Sequence, residues 1–333
     1  MEKCIYCNKT KKLGKSHIVP ECLGAKLKLL NRICNDCNHF IGRTIEAKIC
    51  RDFSFYRYLA QIRTNKGKDV TTPAELQVMG NKVIVHIGEG GKPRFVPPIV
   101  EVKGNKKRFL VVAESPDKLN KYTRRFKEMG IQFEYDRAKP ITVNLISSTE
   151  KRFISSDDYL RVATKIAFEF LCHEYPLRAI SDGYEKVKQY IRFGKYENEK
   201  PARLIYEDGL VNNVLALPFP LHSILLFGYE RMVGSIISIF GLFYYFVLLS
   251  DDNRILQNWT SFIYFNPRTG ESRVPLLKHN YSRAKILNLI RISIRDPDVE
   301  LKAQKYSSDK IDEILKRIEL GKAQLIDNKA VSR

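Results

Sequence analysis

The sequence predicts an α+β protein in which a small, cysteine-bracketed N-terminal module precedes a larger mixed α+β region with a β-rich core. Two Cys-x-x-Cys pairs fall within the first forty residues, helical and strand-like segments alternate after residue 74, and Val233–Leu249 is rich in β-branched and aromatic residues. A chain of 333 residues is long enough for two or three domains. We predict a module at 1–63, a linker at 64–73 and an α+β region at 74–333, with a sub-boundary near 200.

The first element is a pair of cysteine knuckles. They are Cys4-x-x-Cys7 and Cys34-x-x-Cys37. Four thiolates at this spacing are typical of a tetrahedral zinc site, and zinc would stabilise a segment too short to bury a large core. Because all four ligand positions would be filled by protein, such a zinc is structural and not catalytic.

The remaining cysteines are predicted to be reduced thiols. Cys22, Cys50 and Cys172 show no regular spacing, and the chain starts without the basic, apolar and small-residue pattern of a secretory signal. We therefore expect a cytoplasmic location. The net charge of +20 favours a polyanionic partner, because lysine and arginine displace the counterions condensed on phosphate.

Helical periodicity follows the second knuckle, since Ile41, Ile45, Ile49 and Phe53 fall on one helix face. The later elements are then predicted in chain order. They are strands at Val83–Ile87, Phe109–Ala113 and Ile141–Leu145, helices at Ser115–Met129, Ser156–Leu171 and Tyr184–Ile191, strands across 203–280, and a helix at Lys310–Leu320 with Ser308 as its N-cap and Gly321 as its stop.

The apolar stretch Val233–Leu249 has two interpretations. It has the minimum length of about 17 residues for a membrane span. Its β-branched and aromatic content, with Gly241 in the middle, instead favours two buried strands that meet at the glycine. We therefore expect no membrane association.

The segments SHIVPECLG (residues 16–24) and ICNDCNHFIG (residues 33–42) resemble the zinc-bearing HNH endonucleases of bacteria and phages. The resemblance covers about residues 3–50. It implies a ββα-metal fold and metal-dependent hydrolysis of phosphodiester bonds in DNA, with RNA not excluded. It also implies a catalytic Mg²⁺ or Mn²⁺ beside the structural zinc.

The resemblance assigns roles to three residues. His17 matches the general base that would deprotonate a water molecule, Asn38 matches a ligand of the catalytic metal, and Asn31 matches the asparagine that holds the histidine-bearing loop. A base with a pKa near neutrality and an oxygen ligand for a hard cation both suit this chemistry. Asn38 could equally be a helix N-cap.

One position departs from the family pattern. Many HNH proteins carry Asp, Glu or His directly before the catalytic histidine, where this chain has Ser16. Glu46 is the best substitute ligand, because it shares a helix face with Asn38, although it could instead pair with Arg43. Glu21 and His39 are further candidates.

Basic residues surround the motif and are predicted to contact the nucleic-acid backbone. The candidates are Lys12, Lys15, Lys26, Lys28, Arg32 and Arg43.

These observations predict an HNH endonuclease whose region 74–333 supplies targeting, regulation or oligomerisation, and phage defence is a plausible setting by analogy. Two alternatives stay open. The first is a non-catalytic zinc-dependent protein that binds nucleic acid, and the second is a nuclease gated by a ligand-sensing C-terminal region.

Overall fold

The structure is a computed structural model. It describes residues 3–63, 71–78, 81–87, 93–95, 99–103, 106–110, 116–128, 145–146, 156–176, 182–197, 199–206, 217–229, 232–251, 259–274, 288, 291 and 295–319. The chain divides into two compact units. One unit combines Met1–Arg51 with Phe153–Arg333, and the other is Asp52–Arg152.

The first unit begins with a ββα module. Strands β1 (Leu13–His17) and β2 (Lys28–Cys34) pair antiparallel, and a 3-10 turn at Glu21–Leu23 lies between them. The chain then continues through helix α1 (Asn35–Ile41), a π-helical turn (Gly42–Glu46) and helix α2 (Ala47–Asp52). The predicted fold class, a ββα module followed by an α+β region with a β-rich core, is confirmed.

The predicted apolar face of this helical stretch is also confirmed. Ile41, Ile45, Ile49 and Phe53 are all at most 2% exposed.

The expectation that the leftover cysteines are unpaired is wrong for two of them, because Cys22 and Cys50 form a disulfide. The fold brings the 3-10 turn beside α2, and a separation of 28 residues carries no local signal for this pairing.

The second unit contains helix α3 (Ser54–Leu59), strands β3 to β8 and helix α4 (Pro116–Glu128). The strands are β3 (Thr72–Val78), β4 (Asn81–Ile87), β5 (Pro93–Phe95), β6 (Ile99–Lys103), β7 (Lys106–Leu110) and β8 (Leu145–Ile146). They form one sheet in the order β5-β4-β3-β8 and a separate hairpin, β6-β7.

The predictions for this unit have mixed outcomes. The strand at Val83–Ile87 and the helix starting at Pro116 are confirmed. Strand β7 contains Phe109 and Leu110 of the predicted strand Phe109–Ala113, whose last three residues lie outside the described residues. The predicted strand Ile141–Leu145 lies outside the described residues except for its last one. Residues 64–70 of the predicted linker also lie outside them, whereas Thr72 and Pro73 belong to β3.

The rest of the first unit is a helix-covered antiparallel sheet. Its helices are α5 (Asp157–Glu174), α6 (Glu185–Phe193) and α7 (Val299–Glu319). Its strands are β9 (Ala202–Ile205), β10 (His222–Tyr229), β11 (Met232–Ile239), β12 (Phe243–Ser250), β13 (Trp259–Phe265) and β14 (Ser272–Arg273), in the order β14-β13-β10-β11-β12-β9. Helix α5 packs on β9 to β12.

The interpretation of Val233–Leu249 as two buried strands is confirmed. These residues form most of β11 and β12, which join through Gly241 at φ +67°. Within the described residues, no helix is both long and apolar enough to span a membrane.

The predicted start of the last helix is wrong. Helix α7 begins at Val299, so Ser308 lies inside it and cannot be its N-cap. Ala303 is buried and the Tyr306 ring contacts the Tyr206 ring, so packing extends the helix toward its N-terminus. Gly321 lies outside the described residues.

The compact units cut across the predicted division of 1–63, 64–73 and 74–333. Residues 1–51 of the predicted module belong to the same unit as 153–333, and α5 contacts their β2 and π-helical turn, whereas residues 52–63 belong to the other unit. The residues on both sides of position 200 belong to the first unit. As a division of functional roles, the sequence-based boundaries stay a prediction.

Candidate active site

The four paired cysteines converge on one point beside the β1–β2 hairpin. Their sulfur atoms all lie within 4.8 Å of one another, and the Sγ atoms of Cys7 and Cys34 are 3.9 Å apart. Tetrahedral zinc with Zn–S bonds of about 2.3 Å requires sulfur atoms about 3.8 Å apart, so the cluster suits a structural zinc. A hydrogen bond from Cys37 lowers the pKa of Cys4 to about 4, which favours a thiolate ligand.

His17 is the last residue of β1 and pairs in register with Lys28 on β2. Side chains alternate along a strand, so Ser16 and His17 face opposite sides. Ser16 is buried, whereas the His17 side chain is 22% exposed. This alternation turns the imidazole toward solvent and the neighbouring hydroxyl toward the protein interior.

An open cleft of about 330 Å³ brings most of the predicted catalytic residues together. It is lined by His17, Glu21, Asn38, His39, Gly42, Arg43 and Glu46. The strand end supplies the histidine, and the helix supplies Asn38 and Glu46. The helix is π-helical at Gly42–Glu46, a local widening that often accompanies functional sites.

The surroundings of His17 favour the neutral form of its imidazole, which can act as a base. Burial lowers its pKa below the ordinary value of 6.5, and the nearby Lys28 and Lys165 act in the same direction. The Glu21 carboxylate, 3.6 Å from Nε2, opposes this shift. At neutral pH the ring can therefore accept a proton from water.

Asn38 joins the helix to the strand that carries His17. Its Nδ2 donates to the carbonyl oxygen of Lys15 at 3.4 Å. The alternative that Asn38 is an N-cap is wrong, because α1 begins at Asn35 and Cys34 occupies the cap position. With its amide nitrogen directed at Lys15, the carbonyl oxygen is the atom that Asn38 could offer to a hard cation.

Glu46 pairs with a lysine that lies far away in sequence. Its Oε1 is 3.0 Å from Nζ of Lys165, so the ion pair seen is not the predicted alternative with Arg43. Arg43 instead lines the cleft. The Glu46 side chain is 22% exposed and borders the cleft, so its carboxylate is accessible from solvent.

Behind the cleft lies a buried polar network that the sequence analysis missed. Lys165 Nζ is 3.1 Å from Glu169 Oε2, and Glu169 also accepts hydrogen bonds of 3.0 Å from Tyr6 and Ser16. Both charged side chains are at most 1% exposed. The sequence carried a signal for this network, because Lys165 and Glu169 are spaced at i and i+4 within the apolar segment Val162–Phe170. Charged side chains in a buried helix are costly unless they are paired.

This network explains the departure at position 16. The Ser16 hydroxyl donates to Glu169 inside the protein, so it does not line the cleft. Burial raises the pKa of Glu169 to about 7, opposed mainly by Lys165. A hydroxyl suits this contact because it donates a hydrogen bond without adding a second negative charge.

The loop after His17 is tied to the sheet by a buried histidine. His222 Nε2 is 2.9 Å from the carbonyl oxygen of Leu23, and the Phe240 amide donates to Nδ1 at 3.0 Å. Burial lowers the pKa of His222 to about 4, so the ring is neutral. Gly24, at φ +91°, leaves room for Pro267, whose carbonyl oxygen would lie 2.1 Å from any Cβ.

Asn31 is not among the cleft-lining residues. It lies on β2 at φ +53°, in the irregular stretch where the register shifts between Gly14 and Lys15 on β1. Its side chain is exposed. The structure therefore does not bring Asn31 to His17, and its assigned role stays a prediction.

The predicted nucleic-acid contacts spread over the module. Lys12, Lys15 and Lys26 are exposed, and Lys28 and Arg32 are half-buried. Only Arg43 of the six lines the cleft. Lys28 pairs in register with His17 across the β1–β2 ladder.

Comparison with known proteins agrees with the resemblance. Residues 4–54 match the family model described as HNH endonuclease. The matched range includes all four knuckle cysteines, His17, Asn38 and Glu46. No curated protein and no solved structure matched the chain.

Proposed function

We propose that this chain, whose residues 4–54 match the HNH endonuclease family model, hydrolyses phosphodiester bonds in DNA with the help of a divalent metal. The observation that carries the proposal is the cleft itself. An imidazole with a lowered pKa, an amide oxygen and a carboxylate border one solvent-open space within the matched module.

His17 would remove a proton from the attacking water, which needs a neutral imidazole at working pH. Asn38 and Glu46 offer oxygen ligands of the kind that Mg²⁺ and Mn²⁺ prefer. Such a cation, when bound, supplies charge neutralisation for the phosphate and the leaving oxygen. Within the described residues, the knuckle cysteines are the only compact group of at least three His, Cys, Asp or Glu ligands, so water would complete a cation site in the cleft.

DNA binding would depend mainly on the phosphate backbone. Arg43 borders the cleft, Lys28 lies opposite His17, and Lys12, Lys15, Lys26 and Arg32 extend the basic surface. Contacts of this type position a duplex without reading its sequence. We therefore expect the affinity for DNA to fall steeply as the salt concentration rises.

The first test is cleavage of supercoiled plasmid by the wild type and by His17→Ala, with Mg²⁺, with Mn²⁺ or with EDTA. We expect metal-dependent nicking or linearisation that falls at least about 100-fold in His17→Ala, because general base catalysis contributes that much. His173→Ala is the matched control, since His173 lies at the end of α5 and contacts Glu174 instead of the cleft. Zinc content must be equal in all three proteins. Full activity in His17→Ala would refute the proposed mechanism.

A non-catalytic nucleic-acid-binding protein is the second candidate. It is favoured by the inward orientation of Ser16, which leaves the position before His17 without a ligand directed at the cleft. If the wild type shifts DNA in a gel with intact zinc content and cleaves neither DNA nor RNA, this candidate replaces the nuclease.

The role of residues 74–333 belongs to the same proposal. We assign them targeting, regulation or oligomerisation, with phage defence as the biological setting by analogy. Full cleavage without any added small molecule would count against a ligand sensor.

A further inference from the structure

We propose that Lys165 on α5 is a positioning residue of the candidate active site, which fixes the His17 end of β1 relative to the Glu46 carboxylate. The inference rests on the proposed nuclease function and adds a residue from outside the matched module. Lys165 lies more than 100 residues beyond the HNH match at 4–54.

The contacts of Lys165 reach both sides of the cleft. Its ammonium donates to the carbonyl oxygen of His17 and, at 3.1 Å, to that of Ile18. The same nitrogen lies 3.0 Å from Glu46 Oε1 on the π-helical turn. One side chain therefore links the strand that carries the candidate base to the helix that carries the candidate ligand.

Lys165 could neutralise Glu169 without contacting the residues of the cleft. Glu169 is one helical turn from Lys165 and already lies 3.1 Å from its nitrogen. A salt bridge within α5 could satisfy both charges without any contact to the module. Lys165 instead shares its three N–H groups among Glu169, the carbonyl oxygens of His17 and Ile18, and Glu46, so the contacts beyond Glu169 converge on the cleft walls.

Burial makes this linkage rigid. Lys165 is 1% exposed, whereas Glu46 is 22% exposed, so the anchor lies in the interior and its partner borders solvent. A packed side chain behind the reacting groups limits their motion. Displacement of a catalytic group by about 1 Å can lower a rate about 100-fold, so this support would affect turnover.

The test must separate positioning from folding. Lys165→Met alone would leave Glu169 buried without its cation, which commonly prevents stable folding. The informative variant is Lys165→Met combined with Glu169→Gln, because it removes both buried charges and keeps the side-chain sizes. Glu169→Gln alone retains the Lys165–Glu46 pair. Lys188→Met is the matched control, since Lys188 is 2% exposed on α6 and pairs with Glu185.

Three properties should be measured in the full chain with zinc bound: kcat, the KM for DNA, and amide hydrogen exchange by peptide. In the double variant we expect kcat to fall about 100-fold while KM changes less than about threefold, the pattern of a lost transition-state contribution. Exchange should accelerate in peptides covering β1 and the π-helical turn. Glu169→Gln and Lys188→Met should stay close to the wild type in all three properties.

Two results would overturn the inference. One is a folded double variant that keeps wild-type kcat, and the other is faster exchange spread equally over the whole unit, which indicates a general stability role. If the wild type itself does not cleave, the proposed function fails separately. Local exchange at the cleft walls then still decides whether Lys165 holds them.

Discussion

Ser16 and His17 are adjacent residues whose side chains have opposite environments. The serine hydroxyl contacts Glu169 in the interior, and the histidine borders the cleft. Because strand side chains alternate, the identity of residue 16 is set by the interior and not by the chemistry of the cleft. In the proposed metal site, a ligand that replaces the missing acidic residue would therefore come from another element, and Glu46 borders the cleft.

An acidic residue at position 16 should harm this protein. We expect Ser16→Asp to lower the free energy of unfolding by about 3 kcal/mol, because a second buried carboxyl group would lie against Glu169. Urea unfolding at neutral pH measures the change. Ser16→Ala, which only removes the hydrogen bond, should lower the free energy of unfolding by about 1 kcal/mol.

A second substitution tests the cause of the destabilisation expected for Ser16→Asp. Adding Glu169→Gln to Ser16→Asp should recover most of the lost stability, because the like-charge contact is removed. Tighter Mn²⁺ binding by an undestabilised Ser16→Asp would instead show that position 16 faces the cleft.

At the scale of elements, the 3-10 turn after His17 is attached to the β10–β11 pair through one imidazole. His222 contacts the Leu23 carbonyl on one side and the Phe240 amide on the other, and its ring lies 4.6 Å from the Phe240 ring. Both contacts together require the tautomer protonated at Nε2, with Nδ1 as acceptor. A second proton on the ring would meet the Phe240 N–H and lose that bond.

This attachment predicts a dependence of stability on pH. The pKa of His222 is about 4 in the fold and 6.5 when unperturbed, so between these values the unfolded chain binds a proton that the folded chain excludes. Its contribution is present above pH 6.5 and is lost as the pH falls toward 4, with a total of about 3 kcal/mol.

The measurement is the difference in unfolding free energy between the wild type and His222→Gln across this pH range. A difference is needed because Glu169, with its pKa raised to about 7, contributes with the opposite sign. The stability advantage of the wild type should shrink as the pH falls. His173→Gln serves as a surface histidine control, and a pH-independent difference for His222→Gln would contradict the assignment.

At the scale of the whole molecule, α5 supports both the module and the sheet. It packs on β9 to β12 and also contacts β2 and the π-helical turn. Phe168 places its ring 5.7 Å from the Tyr6 ring, and Asp158 pairs with Lys48 on α2. The candidate active site is therefore completed by a helix that lies outside the segment matched by the HNH family.

The sequence predicted the features that depend on neighbouring residues, but not the contacts between residues far apart in the chain. The cysteine spacing, the His17 motif and the apolar helix face are local patterns, and the structure assembles the cysteines and the helix as expected. The Lys165 and Glu169 charges were visible as anomalies, but their partners lie about 150 residues away, and no local rule identifies them. The Cys22–Cys50 pairing and the early start of α7 likewise depend on tertiary packing.

The dependence of the module on α5 leads to a prediction for the fragment 1–63. The fragment keeps all four knuckle cysteines, so it should still bind zinc. It loses the α5 partners of the Tyr6 hydroxyl, the Ser16 hydroxyl and the His17 carbonyl. Because these groups would be exposed or unsatisfied, we expect DNA cleavage at least about 100-fold below that of the full chain.

The comparison should be made at equal zinc content, with plasmid cleavage and circular dichroism measured on both proteins. A fragment that binds zinc but is inactive would show that zinc alone does not organise the cleft. Cleavage by the fragment at the rate of the full chain would contradict this dependence. It would support the division at residue 63 as a boundary of autonomous function, with residues 74–333 acting only on target choice or control.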